Sequence, residues 1–155
     1  ILFGPYSRLF QLDGWYYAIT MPAQLHRSRD GLQDFAKGPR LTDEPVRHHA
    51  LLQLGGSCYL FWTRVGDVPE RILHSVIDLT PDWQNWQSSG EAEILRPERD
   101  WEGADAPLEP SLRSTAPGHV NQLRDPAIFE EDGRTFLLYA IAGESGIAIA
   151  ELLAR

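Results

Sequence analysis

Hydrophobic residues in this chain form short runs, and at three places two such runs flank a glycine-containing turn. The three fragments align without a gap on their glycines; they are residues 6–19, 48–61 and 125–138, with turns at Gly14, Gly56 and Gly133. An apolar run, a glycine-centred turn and a second apolar or aromatic run form the pattern of a β-hairpin. The pattern therefore predicts three copies of one antiparallel unit.

A third predicted strand follows each predicted hairpin. These stretches are residues 24–29, 71–79 and 146–153, and their alternation and β-branched content are typical of strands. After the first of them, Asp30-Gly31 is a turn signal, and the segment to Lys37 fits a fourth, outer strand. Each unit is thus predicted to be an antiparallel meander of three or four strands.

The spacing of the hairpins favours a β-propeller. The turn glycines are 42 residues apart (14 to 56) and then 77 apart (56 to 133), and one propeller blade takes about 40–50 residues. We predict a single all-β, β-propeller-like domain over residues 1–155 with about three antiparallel four-stranded blades, at 3–40, 46–88 and 123–155. The remaining segment, 88–122, is rich in Pro, Glu, Ser and Gly and is predicted to be a long surface loop. Because propellers usually have about four to eight blades, three describe a partial ring or a ring completed by another chain.

Composition and charge limit the classes of partner and cofactor that are expected for this chain. A formal net charge of -8 without a Lys/Arg cluster argues against nucleic acid as a partner. The longest apolar runs fall short of the roughly 18 residues of a membrane helix. No signal peptide is seen, and the chain starts at Ile1 without Met, so an incomplete N-terminus is expected and the compartment stays open. The single Cys58 excludes an internal disulfide and a cysteine-rich zinc site, and motifs for phosphate or metal cofactors are absent, so we expect no cofactor.

The connectivity of a meander brings the opening residues of the units to one mouth of the channel. Those residues are Tyr6, Arg47-His48-His49 and Arg124-Asp125. The loops at 63–71 and 142–146 should rim the same mouth, which gives Asp67, Glu70 and Glu144 access to it. This mouth is the predicted site.

The Arg124-Asp125-Pro126 triplet is the sharpest of these features. An arginine beside a carboxylate holds it ionised and can orient a polar ligand through two hydrogen bonds. Pro126 has no N–H to donate, which suits a strand start. The alternative is a structural ion pair at a strand end.

His48 and His49 are adjacent and could be sugar contacts, an acid/base or metal ligands. Because neighbours on a strand point to opposite faces, a metal shared by the two is not predicted. The alternative is a buried, hydrogen-bonded histidine.

Three further features have competing interpretations. Asp67, Glu70 and Arg71 fit a solvated turn with a local ion pair better than a site. Glu144 lies in Gly-Glu-Ser-Gly, which permits close approach of a ligand but equally fits a plain tight turn. Trp101-Glu102 combines an aromatic platform with a carboxylate, as sugar sites do, although a tryptophan that pins the loop to the core explains it as well.

The same residues resemble a known group of enzymes. Leu123 to Phe129, with Asp132-Gly133 and Phe136 to Tyr139, is similar to a blade of the five-bladed propeller glycosidases of glycoside hydrolase families 32, 43, 62 and 68. The segments at 28–32 and 59–63 are also typical of their blades. The resemblance implies cleavage of glycosidic bonds by carboxylates around a central channel. It gives Asp125 the role of the Asp in the family 32 and 68 triplet, which stabilises the transition state.

The chain also departs from that pattern. The acid/base Glu of those families follows the triplet, whereas the nearest candidate here, Glu102, precedes it. Tyr6 stands where an Asp is expected in the first blade, and about three blades replace five.

The resulting hypothesis is a glycoside hydrolase-like protein that acts on or binds an oligosaccharide or polysaccharide at the channel. Two carboxylates would flank the bond. The candidate catalytic residues are Asp125 and Glu102, with Glu144 in reserve; the candidate sugar contacts are Arg124, Arg47, His48, His49, Asp67 and Trp101. The alternatives are a non-catalytic carbohydrate-binding or scaffold unit and an inactive fragment of a longer propeller enzyme. An open blade exposes a strand edge, which favours a homo-oligomer that closes the ring.

Overall fold

The fold is all-β, as predicted, and consists of three antiparallel sheets. The structure, a computed structural model, describes residues 4–116 and 118–153. The first sheet has the order β1 (Arg8–Leu12), β2 (Trp15–Thr20), β3 (Gln24–Ser28), β4 (Ala36–Arg40). The second is β5 (Val46–Leu54), β6 (Ser57–Arg64), β7 (Ile72–Asp78), β8 (Gln87–Leu95), and the third is β9 (Arg124–Glu131), β10 (Arg134–Ile141), β11 (Gly146–Leu152). Within the described ranges, no helix is long and apolar enough to cross a membrane.

The three predicted hairpins form, and their turns explain the glycine pattern. Both central residues of each turn have positive φ: Asp13 and Gly14 (48° and 72°), Gly55 and Gly56 (59° and 81°), Asp132 and Gly133 (51° and 73°). Two consecutive residues with positive φ define the type I′ turn, whose twist matches that of the flanking strands. Gly, and to a lesser extent Asp, tolerates this conformation better than most other residues.

One boundary and one strand count differ from the prediction. Strand β8 lies mostly inside the segment 88–122 that was predicted to be a loop, so the irregular insertion begins only after Leu95. In the described part of the chain the third sheet has three strands rather than four. The hydrophilic sequence of β8 hides it because the strand is an outer, largely exposed one.

The second sheet lies between the other two and packs against both. Alternate residues of β6 point to opposite faces: Leu60 and Trp62 belong to a core shared with the first sheet, and Phe61 belongs to a core shared with the third. The opening strand of the second sheet, β5, contacts both β1 and β9. The opening strands are therefore neighbours, as in blades around a channel.

Candidate functional site

A cavity of about 730 Å³ opens where the first strands of the second and third sheets begin. All three sheets or their connecting segments contribute to it: Tyr6 and Met21 around the first sheet, Arg47 and His48 from the second, and Asp125, Tyr139 and Glu144 from the third. The cavity is thus lined by most of the strand-opening residues that were predicted to lie at one mouth of the channel.

A β-bulge positions the residues from the second sheet. In the β5–β6 pair, Val46 lies opposite Arg64 and His49 lies opposite Trp62. Arg47 and His48 therefore share the single opposing residue between those two. An extra residue on one strand bends it and redirects its side chains, and here it places both Arg47 and His48 at the cavity.

A second bulge occurs at the same point of the third sheet. Arg124 pairs with Ala140 and Ala127 pairs with Leu138, so Asp125 and Pro126 together face Tyr139. Asp125 has a φ of 47°, in the left-handed region. Pro126 has no N–H, so the interruption of the ladder leaves no donor unsatisfied there.

The two bulges bring His48 and Asp125 into contact. His48 Nδ1 lies 2.6 Å from Asp125 Oδ1. The His48 side chain is 7% exposed, whereas that of Asp125 is 40% exposed and accessible from the cavity. The ring of Tyr6 lies 4.3 Å, centroid to centroid, from the His48 ring. A carboxylate, an imidazole and a half-exposed aromatic ring therefore share one wall.

A buried ion network lies beside this wall. Glu70 is fully buried, 3.0 Å from Arg47 Nε and 3.5 Å from Arg124 Nε. Arg124 Nη1 also donates to Glu144 Oε1 at 2.9 Å, and Arg124 Nε donates to Gln122 Oε1 at 2.9 Å. Burial lowers the pKa of Arg47, and the charge of Glu70 works against that shift. The sequence favoured a solvated turn at Glu70, and this prediction is wrong. Glu70 is buried and links the second and third sheets through Arg47 and Arg124.

Glu102 does not reach the cavity, so the structure does not bring the predicted pair of Asp125 and Glu102 together. Its carboxylate is 3.0 Å from the donating Tyr139 hydroxyl and accepts the backbone N–H groups of Glu98 (2.9 Å) and Arg99 (3.1 Å). Burial and this hydrogen bond raise the pKa of Tyr139 to about 12. Glu102 thus anchors a 3-10 turn behind the wall, and the half-exposed Trp101 also lies outside the cavity lining.

Asp67 and His49 are also outside the cavity lining. Asp67 lies 3.7 Å from Arg64 Nη1 and 3.5 Å from Arg71 Nε, and burial raises the pKa of its carboxyl. His49 points to the first sheet, where its Nε2 donates to the Ile19 carbonyl at 3.0 Å. Burial lowers the pKa of His49 to about 4, which keeps the ring neutral.

A further cavity element was missed by the sequence analysis. Residues 112–115, here called the strap, run along the cavity and contribute Arg113 to its lining. The strap belongs to the insertion, whose composition shows that it is irregular but not where it folds. Over residues 4–116 and 118–153, no group of three or more His, Cys, Asp and Glu side chains is arranged to hold a metal ion.

Comparison with known proteins shows that this chain is similar to about half the length of a larger protein. No family model matches the chain. It is 40% identical over 163 residues to an uncharacterized protein of Acanthamoeba polyphaga mimivirus, covering 95% of this chain and 46% of that protein. The chain therefore spans about half the length of the curated relative that it matches.

Solved structures share the fold. An alpha-L-arabinanase of Cellvibrio cellulosa complexed with arabinohexaose superposes with a TM-score of 0.61 at 14% identity, over 95% of this chain and 47% of that one. An exo-1,5-alpha-L-arabinanase from a bovine ruminal metagenomic library gives 0.60 at 16% identity, over 94% and 49%. An alpha-L-arabinofuranosidase of Lactobacillus brevis gives 0.54 at 16% identity, over 96% and 49%.

These likenesses confirm, for the fold, the resemblance to propeller glycosidases that the sequence indicated. The chain has the architecture of about half of such a propeller. At these identities the likeness concerns the backbone alone.

Proposed function

We propose that the cavity binds a saccharide and that this chain forms part of a glycoside hydrolase-like, carbohydrate-active propeller. The observation that carries the proposal is Asp125: a solvent-accessible carboxylate on a bulged opening strand, in contact with His48, at the mouth of a fold shared with arabinanases. A carboxylate placed in this way can accept hydrogen bonds from sugar hydroxyls. In hydrolysis it can also stabilise the positive charge of the transition state.

The rest of the wall suits a sugar. Apolar faces of sugars pack on aromatic rings, while their hydroxyls need polar partners. Tyr6 is 48% exposed and supplies a ring beside His48. Asp125 and His48 supply the polar partners next to it. The wall therefore offers both kinds of contact within one open cavity.

Hydrolysis needs two carboxylates at the bond. Of the three candidates in this chain, Asp125 and Glu144 line the cavity, and Glu102 does not. We assign Asp125 as the first carboxylate and Glu144 as the second that this chain can supply.

One observation favours a second candidate function, carbohydrate binding without turnover. Glu144 is engaged by Arg124 at 2.9 Å, and Glu102 is occupied by Tyr139 and two backbone N–H groups. A carboxylate whose oxygens are already engaged by an arginine or by a hydroxyl and backbone N–H groups is not free to contact the glycosidic oxygen. With Asp125 as the sole working carboxylate, the cavity would hold a sugar but not cleave it.

Arabinohexaose, the ligand bound by the Cellvibrio enzyme, is the first probe. Binding is measured by calorimetry and hydrolysis by chromatography of the products, for the wild type, Asp125→Asn and Asp13→Asn. Asn keeps the shape and tolerates positive φ, so Asp13→Asn, at a φ of 48° in a remote turn, is the matched control. For an enzyme, Asp125→Asn lowers turnover about 100-fold or more with binding retained.

The other outcomes separate the two candidates. Binding by the wild type without any products supports the non-catalytic function. If the wild type neither binds nor cleaves arabinohexaose, xylo-oligosaccharides or oligogalacturonides, the saccharide site itself is refuted. Equal losses in Asp125→Asn and Asp13→Asn would remove the special role of Asp125.

A further inference from the structure

The charged side chains in and beside the cavity form pairs, with one exception. Glu70 pairs with Arg47, and Glu144 pairs with Arg124. Asp125 contacts His48. Among the residues that the structure describes at this cavity, Arg113 is the cation with no carboxylate within 4.0 Å. Its guanidinium is exposed and contacts the Met21 sulfur at 3.3 Å.

The backbone on both sides of Arg113 is held by the buried arginines. The carbonyl of Leu112 accepts a hydrogen bond from Arg47 Nη2. The carbonyl of Ser114 accepts from Arg47 Nη1 and from Arg124 Nη1, both at 3.0 Å. Because Glu70 fixes both arginines, the strap is anchored to the buried ion network. Arg113 is thus presented from a fixed backbone rather than from a free loop.

We infer that the cavity is selective for a saccharide that carries a carboxylate, a uronic acid residue, and that Arg113 is the specificity-determining residue. The inference rests on the proposed saccharide function and names its substrate class. A guanidinium offers a planar pair of N–H donors that matches a carboxylate, and such paired bonds are among the strongest in proteins. The chain as a whole has a formal net charge of -8, which repels anions. A local unpaired arginine is what an anionic sugar needs in order to bind against that background.

The test compares trigalacturonate with its methyl ester, which lacks the carboxylate charges, and uses arabinohexaose as a neutral saccharide of a different sugar. Trigalacturonate, its methyl ester and arabinohexaose are titrated calorimetrically into the wild type, Arg113→Gln, Arg113→Lys and Arg134→Gln. Arg134 is the matched control, since its side chain is exposed, paired with Glu151 at 2.7 Å and remote from the cavity lining. We expect the wild type to bind trigalacturonate about tenfold more tightly than the ester. Arg113→Gln should abolish that preference without weakening the ester, Arg113→Lys should keep part of it, and Arg134→Gln should keep all of it.

The failures are distinguishable. If the wild type binds arabinohexaose or the ester as tightly as trigalacturonate, the saccharide function stands and the selectivity is refuted. If the preference survives in Arg113→Gln, or disappears equally in Arg134→Gln, Arg113 does not determine it. If the wild type binds none of the three ligands but binds xylo-oligosaccharides, the saccharide function stands and the inference is refuted; if it binds none of them, both fail. Weakening of the preference from about 50 to 500 mM salt would support its electrostatic origin.

Discussion

The second sheet meets its two neighbours in different ways. Towards the first sheet, the buried contact is mainly apolar, with Leu60 and Trp62 in the core and the neutral His49 bonded to a backbone carbonyl. Towards the third sheet, apolar packing gives way at the mouth to a buried network in which Glu70 joins Arg47 and Arg124. One interface stabilises the stack, and the other also shapes a cavity.

The same strand supplies both interfaces, one residue apart. His48 faces the cavity and Asp125, while His49 faces the first sheet. The bulge in β5 allows Arg47 and His48 to leave the regular alternation that His49 resumes. The candidate site is therefore made where the opening strands depart from a regular ladder, and β1, which pairs with β2 without such a shift, contributes no strand residue to the cavity lining.

The largest difference between the two interfaces is expected when the charge of Glu70, at the centre of the buried network, is removed. Glu70→Gln leaves two buried arginines without their shared anion, and loss of one partner of a buried ion pair costs about 3–5 kcal/mol. Urea unfolding measures the change. Glu44→Gln is the control, since Glu44 pairs with Arg64 at 2.9 Å but is 44% exposed, and its loss should cost less than about 1 kcal/mol.

A second measurement on Glu70→Gln tests the anchoring of the strap. The bond after Arg113 is a trypsin site, and the carbonyls beside it are held by Arg47 and Arg124. In buffer where the variant remains folded by circular dichroism, cleavage there should be faster than in the wild type and in Glu44→Gln. An unchanged rate would show that the strap does not depend on the buried network.

The hairpins were predictable from sequence because their signal is local. An Asp-Gly or Gly-Gly pair between two apolar runs specifies a type I′ turn within a few residues. The bulges have no comparable signal, because an extra residue shows only once the partner strand is in register. The burial of Glu70 depends on Arg47 and Arg124, which are 77 positions apart in the sequence. No local pattern distinguishes such a residue from one in a solvated turn.

Glu102 shows how a local signal can be misread. Its place after an exposed tryptophan suggested a sugar platform. The same position is also the third residue of a 3-10 turn, where its side chain accepts the backbone N–H of Arg99. A carboxylate that reaches back to a helix start is a capping feature, and that interpretation accounts for its burial.

The other interface can be probed through pH. His49 has a pKa of about 4 in the folded protein, lowered by burial from 6.5. Below pH 6.5 the imidazole of His49 is protonated in the unfolded chain but stays neutral in the folded chain down to about pH 4. The contribution of His49 to the free energy of unfolding therefore falls as the pH drops from about 6.5 to 4 and levels off below. The loss amounts to about 3 kcal/mol. Urea unfolding at several pH values measures it.

His49→Gln provides the matched variant. Glutamine can still donate to the Ile19 carbonyl but does not titrate. Its stability should vary less between pH 6.5 and 4 than that of the wild type. Parallel curves for the two proteins would show that His49 is not responsible for the pH dependence at this interface.

The smallest effect isolates the contact between His48 and Asp125. Asp125 and Asp13 have nearly the same φ, 47° and 48°, so replacing either with Ala carries the same backbone penalty of about 1 kcal/mol. Asp13 lies in an exposed turn of the first sheet, whereas Asp125 also contacts His48 at 2.6 Å. Asp125→Ala should therefore cost about 1 kcal/mol more than Asp13→Ala. In a His48→Ala background the two variants should become equal, because the remaining penalty is conformational in both. If the difference persists there, the bulge rather than the contact holds Asp125 in place, and its position at the cavity is a property of the backbone alone.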